Sequence, residues 1–284
     1  MVVHIILFYK FVEIKNPQIL KKEQLDFCKK LNLKGKVILA EEGINGSVSG
    51  TEEQIDKYIS ELRKDSRFSD IEFKEETGII NPFDKMIVKV KKEIIRLDKK
   101  IDIRNTGKHL SPKEFLEACK NEEVVILDTR NDYEVKAGKF NRALNPQISV
   151  FREFPQFVDN LKISKETPIA MYCTGGIRCE KASAYMIEKG FKNVSQLHGG
   201  IINFCQKLPN TEWVGQCFVF DNRLTSDIGQ NTKQINNCIH CKTPSDIYRN
   251  CKIKSCNKLI FICNGCRKTM HACCSVECMK ELLR

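Results

Sequence analysis

Met171-Tyr-Cys-Thr-Gly-Gly-Ile-Arg-Cys-Glu180 is the stretch on which the reading of this chain turns. The apolar run Pro168–Tyr172 that leads into it has the length and composition of a buried strand, which delivers Cys173 at its carboxyl end. Gly175 and Gly176 then allow a tight turn, and a helix is expected from about Cys179 to Lys189. Successive backbone N–H groups in such a turn converge on one point and form an anion-binding nest. The helix start adds partial positive charge and Arg178 a full one. Thiols so placed have pKa values lowered from about 8.5 to between roughly 3.5 and 7.5, so Cys173 is expected to be largely ionised at neutral pH. A buried structural cysteine on a sheet strand is the plain alternative.

Outward from the loop, residues 106–222 alternate strands with helices. Ser111-Pro-Lys-Glu114 places an N-cap serine, proline at the first helical position and glutamate at the third. Val124–Leu127 is a short apolar strand ending in Asp128-Thr-Arg130, Val194–Leu197 is another, and Gly199-Gly200 opens a further helix. This alternation implies an α/β domain with a central parallel sheet covered on both faces. Ligands in such sheets sit at the carboxyl ends of strands, where Cys173 falls. Asp128, Arg130 and Glu134 read as an ion-pair cluster bracing the loop, and Arg152 and Glu153, on a connecting segment, as solvent-exposed residues. Cys28, Cys119, Cys205 and Cys217 lack a comparable context and read as packing.

Residues 1–105 follow the order β-α-β-β-α-β of a ferredoxin-like α+β domain. Strands are expected at Val3–Val12, Lys36–Ala40, Ser47–Ser49, Ile71–Lys74 and Met86–Leu97, with a turn at Gly43–Gly46. Helices are expected from Pro17 to about Asn32 and after the capping residue Thr51. The fold alone names no function.

The 284-residue chain suits two or three domains, and no apolar run reaches the roughly 18 residues that span a bilayer. Its net charge of +11 is uneven: +3 for residues 1–105, +1 for 106–230 and +7 for 231–284. Nine of the 15 cysteines also lie after residue 230, beyond a polar segment at 223–237 that reads as a linker. In residues 238–284 the spacing Cys238-x2-Cys241, Cys251-x4-Cys256, Cys263-x2-Cys266, with Cys273, Cys274 and Cys278, has the pattern of structural zinc sites. Eight ligands suggest two interleaved sites, 238/241/263/266 and 251/256/274/278. Lys242, Arg249, Lys252, Lys254, Lys258, Arg267 and Lys268, interspersed with Tyr248 and Phe261, suit an anionic partner, with nucleic acid the first candidate. A solubilising charged tail has the same composition. The amino-terminal run Met1–Lys10 lacks a basic leader, which fits a cytoplasmic protein.

Asp128-Thr-Arg130 with Glu134, the Cys173-to-Arg178 loop and Leu197-His-Gly-Gly-Ile201 together resemble a rhodanese domain. Related phosphatases separate Cys and Arg by five residues; here only four, Thr174 to Ile177, intervene, so the ring suits a single sulfur atom or a similarly small group. Asn131-Asp-Tyr-Glu134, Phe151-Arg-Glu-Phe-Pro155 and Cys173-Thr-Gly-Gly-Ile-Arg-Cys-Glu-Lys181 resemble one rhodanese branch, the bacterial tRNA uridine hydroxylases. Ala40-Glu-Glu-Gly-Ile-Asn-Gly-Ser-Val-Ser-Gly50 is similar to that branch's acylphosphatase-like first domain, and the Cys-rich tail matches as well.

The resemblance implies oxygen-dependent conversion of the wobble uridine of tRNA to 5-hydroxyuridine. Cys173 would be the reacting thiolate, Thr174, Gly175, Gly176, Ile177 and Arg178 its cradle, and the anticodon region of tRNA the partner. Cys179 would be a resolving thiol or a packing residue, and Arg152 and Glu153 would border the pocket. A persulfide-forming sulfurtransferase acting on tRNA or a carrier protein is the second reading, and a non-catalytic RNA-binding adaptor the third. Neither an iron-binding facial triad nor a nucleotide-binding fingerprint is evident, and the electron or sulfur donor is unidentified.

Overall fold

The computed structural model describes residues 2–228 and 235–283; residues 229–234, within the expected linker, lie outside the described residues. The first unit comprises β1 (Val3–Phe11), α1 (Pro17–Lys30), β2 (Lys34–Ala40), β3 (Gly43–Gly50), α2 (Glu52–Lys64), β4 (Phe73–Gly78) and β5 (Met86–Val90). Its sheet has the order β4-β1-β3-β2-β5, antiparallel except for the β2–β5 pair. Strand alternation divides the sheet cleanly. Ile6, Phe8, Val37, Leu39, Ile44 and Val48 pack against Leu20, Cys28, Ile55, Tyr58 and Leu62 of the helices. Leu7, Tyr9, Lys36, Ile38, Asn45, Ser47 and Lys74 occupy the other face and border a cavity.

Three expectations for this unit are corrected. The glycines at 43 and 46 are strand residues of β3, and the chain reverses at Glu41-Glu42 instead. Gly46 lies under the Phe8 ring, where a Cβ would approach Cζ to 2.6 Å, so this glycine serves packing between strands and not a turn. The strand expected at Ile71–Lys74 begins at Phe73 and runs to Gly78, because Ile71 closes the preceding 3-10 turn through its N–H to Phe68 O at 3.1 Å. The strand expected over Met86–Leu97 stops at Val90. There the Glu93 carboxylate accepts the Leu97 and Asp98 N–H groups, both at 3.0 Å, and turns the chain so that Leu97 enters the core of the second unit.

That unit is built from β6 (Lys108–Leu110), α3 (Pro112–Lys120), β7 (Val125–Asp128), α4 (Asp132–Ala137), β8 (Gly138–Phe140), α5 (Phe154–Asn160), β9 (Ile169–Tyr172), α6 (Ile177–Glu188), β10 (Val194–Leu197) and α7 (Gly200–Lys207). Its four parallel strands take the order β6-β10-β9-β7. Phe154, Val158, Tyr185 and Met186 of α5 and α6 cover one face, and Phe115, Ile201 and Phe204 of α3 and α7 the other. The Ser111–Glu114 capping box forms as expected at α3. Helix α6 starts two residues earlier than expected, so Arg178 and Cys179 fall in its first turn.

Beyond it, β11 (Trp213–Gly215) pairs with β8, and β12 (Cys217–Phe218) with β13 (Thr225–Ser226). The segment expected as a linker thus begins as a paired strand, and the Ser226 hydroxyl donates to Glu76 at 3.0 Å. The tail holds β14 (Tyr248–Asn250), β15 (Leu259–Phe261), α8 (Asn264–Thr269) and α9 (Val276–Leu283). No helix among the described residues is long and apolar enough to cross a membrane.

Candidate active site

Cys173 follows the last residue of β9, and the chain turns back over its sulfur. The Gly176 N–H donates to Cys173 Sγ at 3.1 Å, which requires φ of +106° at Gly176. The loop rests on the first turn of α7, where Ile201 N–H reaches Cys173 O at 3.0 Å and Ile202 N–H reaches Thr174 O at 3.2 Å. Gly200 makes that contact possible, because a Cβ there would lie 2.5 Å from Cys173 O. Cys173 has no exposure to bulk solvent, yet it borders a cavity of about 690 Å3 between the two units.

Burial pushes the Cys173 thiol up, but a hydrogen bond from Cys179, the Arg178 charge and the backbone N–H groups of Arg178 and Cys179 outweigh it and bring the pKa down to about 6. The Cys179 thiol is held well above the ordinary range by burial and by the adjacent Cys173. Cys179 therefore keeps its proton and offers it to Cys173, with Thr129 Oγ1 on its other side at 3.6 Å. Cys28, Cys119 and Cys217 are pushed up to about 12, by burial above all, and Cys205 is also raised by burial.

The guanidinium of Arg178 is buried. It meets Glu134 through two bonds, Nη1–Oε1 at 2.5 Å and Nη2–Oε2 at 2.8 Å, and reaches Thr174 Oγ1 at 3.4 Å. Asp128 and Arg130 form a second buried pair, Nη2–Oδ2 at 2.6 Å, and Arg130 also donates to Gly138 O at 2.7 Å and to Glu134 O at 3.3 Å. The expected cluster is thus two pairs joined by the Arg130 bond to Glu134 O, of which Glu134–Arg178 touches the loop. Arg152 and Glu153 do not border the cavity. Arg152 is exposed, and Glu153 turns inward to accept the Ser149 N–H at 2.7 Å.

The opposite wall of the cavity was not read from the sequence. Leu7, Tyr9 and Lys74 come from the helix-free face of the first sheet, and Asn131, Phe220 and Arg223 from the second unit and the segment after it. Both loop glycines record this approach: a Cβ on Gly175 would lie 2.6 Å from Leu7 Cδ2, and one on Gly176 2.8 Å from Tyr9 Oη. Tyr9 donates to Glu180 Oε1 at 2.8 Å. Lys181, buried in α6, binds Glu42 at 2.8 Å and Glu93 at 2.6 Å across the seam. One signal was available in the sequence. Val3–Phe11 is apolar at both odd and even positions, as expected for a strand covered on two faces.

In the tail, the Sγ atoms of Cys238, Cys241, Cys263 and Cys266 all lie within 4.8 Å of one another, as do those of Cys251, Cys256, Cys274 and Cys278. The Sγ–Sγ separations of 3.6 Å for 241–263, 3.5 Å for 256–274 and 3.7 Å for 274–278 match those of a zinc tetrahedron. Zn–S bonds of 2.3 Å give edges of about 3.8 Å. Both groups can therefore hold a tetrahedral metal ion. Cys273 belongs to neither group and is buried.

Comparison with known proteins matches three stretches of the chain. Residues 3–94 match the UPF0176 acylphosphatase-like domain, 111–207 the rhodanese-like domain and 214–279 the rhodanese C-terminal domain. The tRNA uridine(34) hydroxylase of Staphylococcus epidermidis is 43% identical over 285 residues, covering 98% of this chain and 89% of that protein. The chain belongs to the tRNA uridine(34) hydroxylase family. The family member from Wolbachia pipientis wMel is 42% identical and covers 92% of this chain and 94% of its own. Among solved structures, the rhodanese-like domain of an Anabaena protein aligns with 38% of this chain and 78% of its own, at 19% identity and a TM-score of 0.33. Within this tRNA uridine(34) hydroxylase family member, Cys173 lies in the rhodanese-like part and the facing wall in the acylphosphatase-like part.

Proposed function

We propose that the protein hydroxylates C5 of the wobble uridine of tRNA, forming 5-hydroxyuridine, with Cys173 as the reacting thiolate and molecular oxygen as co-substrate. The observation that carries this reading is the contrast among the cysteines outside the tail. Cys173 is brought down to about 6 and faces a cavity, whereas Cys28, Cys119, Cys179, Cys205 and Cys217 are all raised. The names of the relatives supply the substrate class.

The amides of Gly176, Arg178 and Cys179 hold the negative charge of the sulfur, and Cys179 supplies the proton nearest to it. The Glu134 pair fixes Arg178, so its charge acts on the loop at a set position. Because one atom of oxygen enters the base and the other leaves as water, the reaction draws two electrons from a donor. It is thus an oxidoreductase reaction. The two four-cysteine groups would hold zinc, which would supply a structural staple for the tail, and the lysines and arginines there grip phosphates of the anticodon region.

Nucleoside mass spectrometry of tRNA from cells lacking the protein tests this reading, and loss of 5-hydroxyuridine and its derivatives is expected. Re-expressed Cys173→Ser protein should fail to restore them. The loop with only Thr174 to Ile177 between Cys173 and Arg178 also accommodates a persulfide, so a sulfurtransferase is the second reading. Loss of thiolated bases with 5-hydroxyuridine intact would select it.

A further inference from the structure

Among the described residues every phenylalanine, tyrosine and tryptophan is buried or half-buried except Phe220, which is 61% exposed. A lone apolar side chain on a surface ordinarily needs no explanation. Phe220 differs in its place. It borders the cavity beside Cys173, with Cζ of Arg178 5.7 Å from the centroid of its ring. The same side chain borders a second cavity, of about 480 Å3. Lys36, Phe83, Val219 and Asp221 also line both, so the two spaces adjoin at Phe220. The second cavity takes further walls from Lys85, from Tyr133 of α4, and from Asn250 and Leu259 of the tail hairpin. It thus connects the chamber of the thiolate to the tail, where the adjacent residues Arg249 and Lys258 are exposed cations. Buried Phe218 backs Phe220 edge-to-face, with centroids 5.3 Å apart and rings at 77°. The charges around the second cavity are unevenly engaged. Asp221 is paired with Arg223 at 2.6 Å and Asp84 accepts Asn222 Nδ2 at 3.0 Å, whereas Lys36 and Lys85 make no side-chain bond among the described residues.

We propose that Phe220 stacks a base adjacent to the reacting uridine, and that the second cavity holds this neighbouring nucleotide of the same unpaired strand. This rests on the reading that a wobble uridine of tRNA is the substrate, and it adds a subsite for the nucleotide beside it. An unpaired base has an open π-face that an exposed aromatic ring covers, and this stacking tolerates any base. Lysine offers only donors and a phosphodiester only acceptors, so Lys36 and Lys85 suit the backbone of that nucleotide. An apolar peptide segment would cover Phe220 equally well but leave both ammoniums without counter-charge. The subsite therefore grips the strand without reading the identity of the neighbour, and the selection of the reacting base stays with the chamber.

The test is binding, followed by fluorescence anisotropy, of an anticodon stem-loop RNA carrying U34 and of two copies made abasic at position 33 or at position 35. Wild-type protein should bind one of the abasic copies about tenfold or more weakly than the intact RNA, the loss of one stacked base being the quantity removed. Phe220→Ala should weaken binding of the intact RNA by a similar factor and bind that abasic copy as the wild type does. The two losses then fail to add, which a merely structural role of Phe220 would not produce. Phe220→Trp should restore binding of the intact RNA, and exchanging the stacked base for another should leave wild-type affinity within about threefold. Intact-RNA binding unchanged in Phe220→Ala overturns the proposal, as do losses that add for both abasic copies. Retention of 5-hydroxyuridine by Cys173→Ser would instead overturn the underlying reading, so the two failures are distinct.

Discussion

A methyl group at residue 175 would have to push aside another domain. Its carbon would sit 2.6 Å from Leu7 Cδ2, the end of a side chain that Leu7→Ala removes. Gly175→Ala is therefore expected to lower 5-hydroxyuridine formation strongly, and Gly175→Ala with Leu7→Ala to recover much of it, a coupling that a double-mutant cycle measures. Gly200→Ala should have no such rescue, since φ is +69° and the clash is with the Cys173 and Thr174 carbonyl oxygens. The sulfur itself gives a pH prediction. With the folded Cys173 pKa at about 6, its alkylation by iodoacetamide should rise with pH through a midpoint near that value, and the reactivity should fall away at lower pH as the thiolate is protonated. A midpoint near the ordinary 8.5 of free cysteine would remove the loop's electrostatic role. Glu134→Ala leaves Arg178 buried without its counter-ion, and a stability loss of about 3–5 kcal/mol in urea unfolding is expected.

At the scale of elements, helix α6 does two jobs that its sequence displays unequally. Its first turn completes the thiolate cradle, and the next residues, Glu180 and Lys181, fasten the first unit to the second. Lys181→Met would strand the Glu42 and Glu93 carboxylates beside each other. It should cost about 3 kcal/mol and expose Cys173 to larger alkylating reagents, read as faster labelling. The local part of this design was legible in the sequence: strand, double glycine, Cys-to-Arg spacing and helix all follow from neighbours along the chain. The glycine spacing near residue 43 misled because a strand residue under an aromatic ring and a turn residue both favour glycine. The facing wall escaped notice for a different reason. Cys173 is brought to Leu7 and Lys74 only by docking, and no local pattern encodes which face of a sheet will be covered. Only the doubly apolar β1 hinted at it.

Across the whole molecule, the seam and the tail answer to different forces. The tail has small core clusters, mostly Cys238, Ile260 and Ile262 in one and Cys251, Ile253 and Cys273 in the other. Such modules fold on metal binding, so prolonged chelation should release zinc and unfold residues 238–283 while leaving the two sheets intact, as hydrogen exchange would show. Retention of full protection there without metal would count against the staple. The chamber beside Cys173, by contrast, has one wall from the first sheet and one from the second unit and the segment after it. A molecule lodged there grips both at once and so behaves as a clasp: at a hundred times its dissociation constant it adds about 2.7 kcal/mol against any opening that separates the walls. Melting of the two halves, if separate in the empty protein, should then merge into a single transition once the anticodon loop is seated.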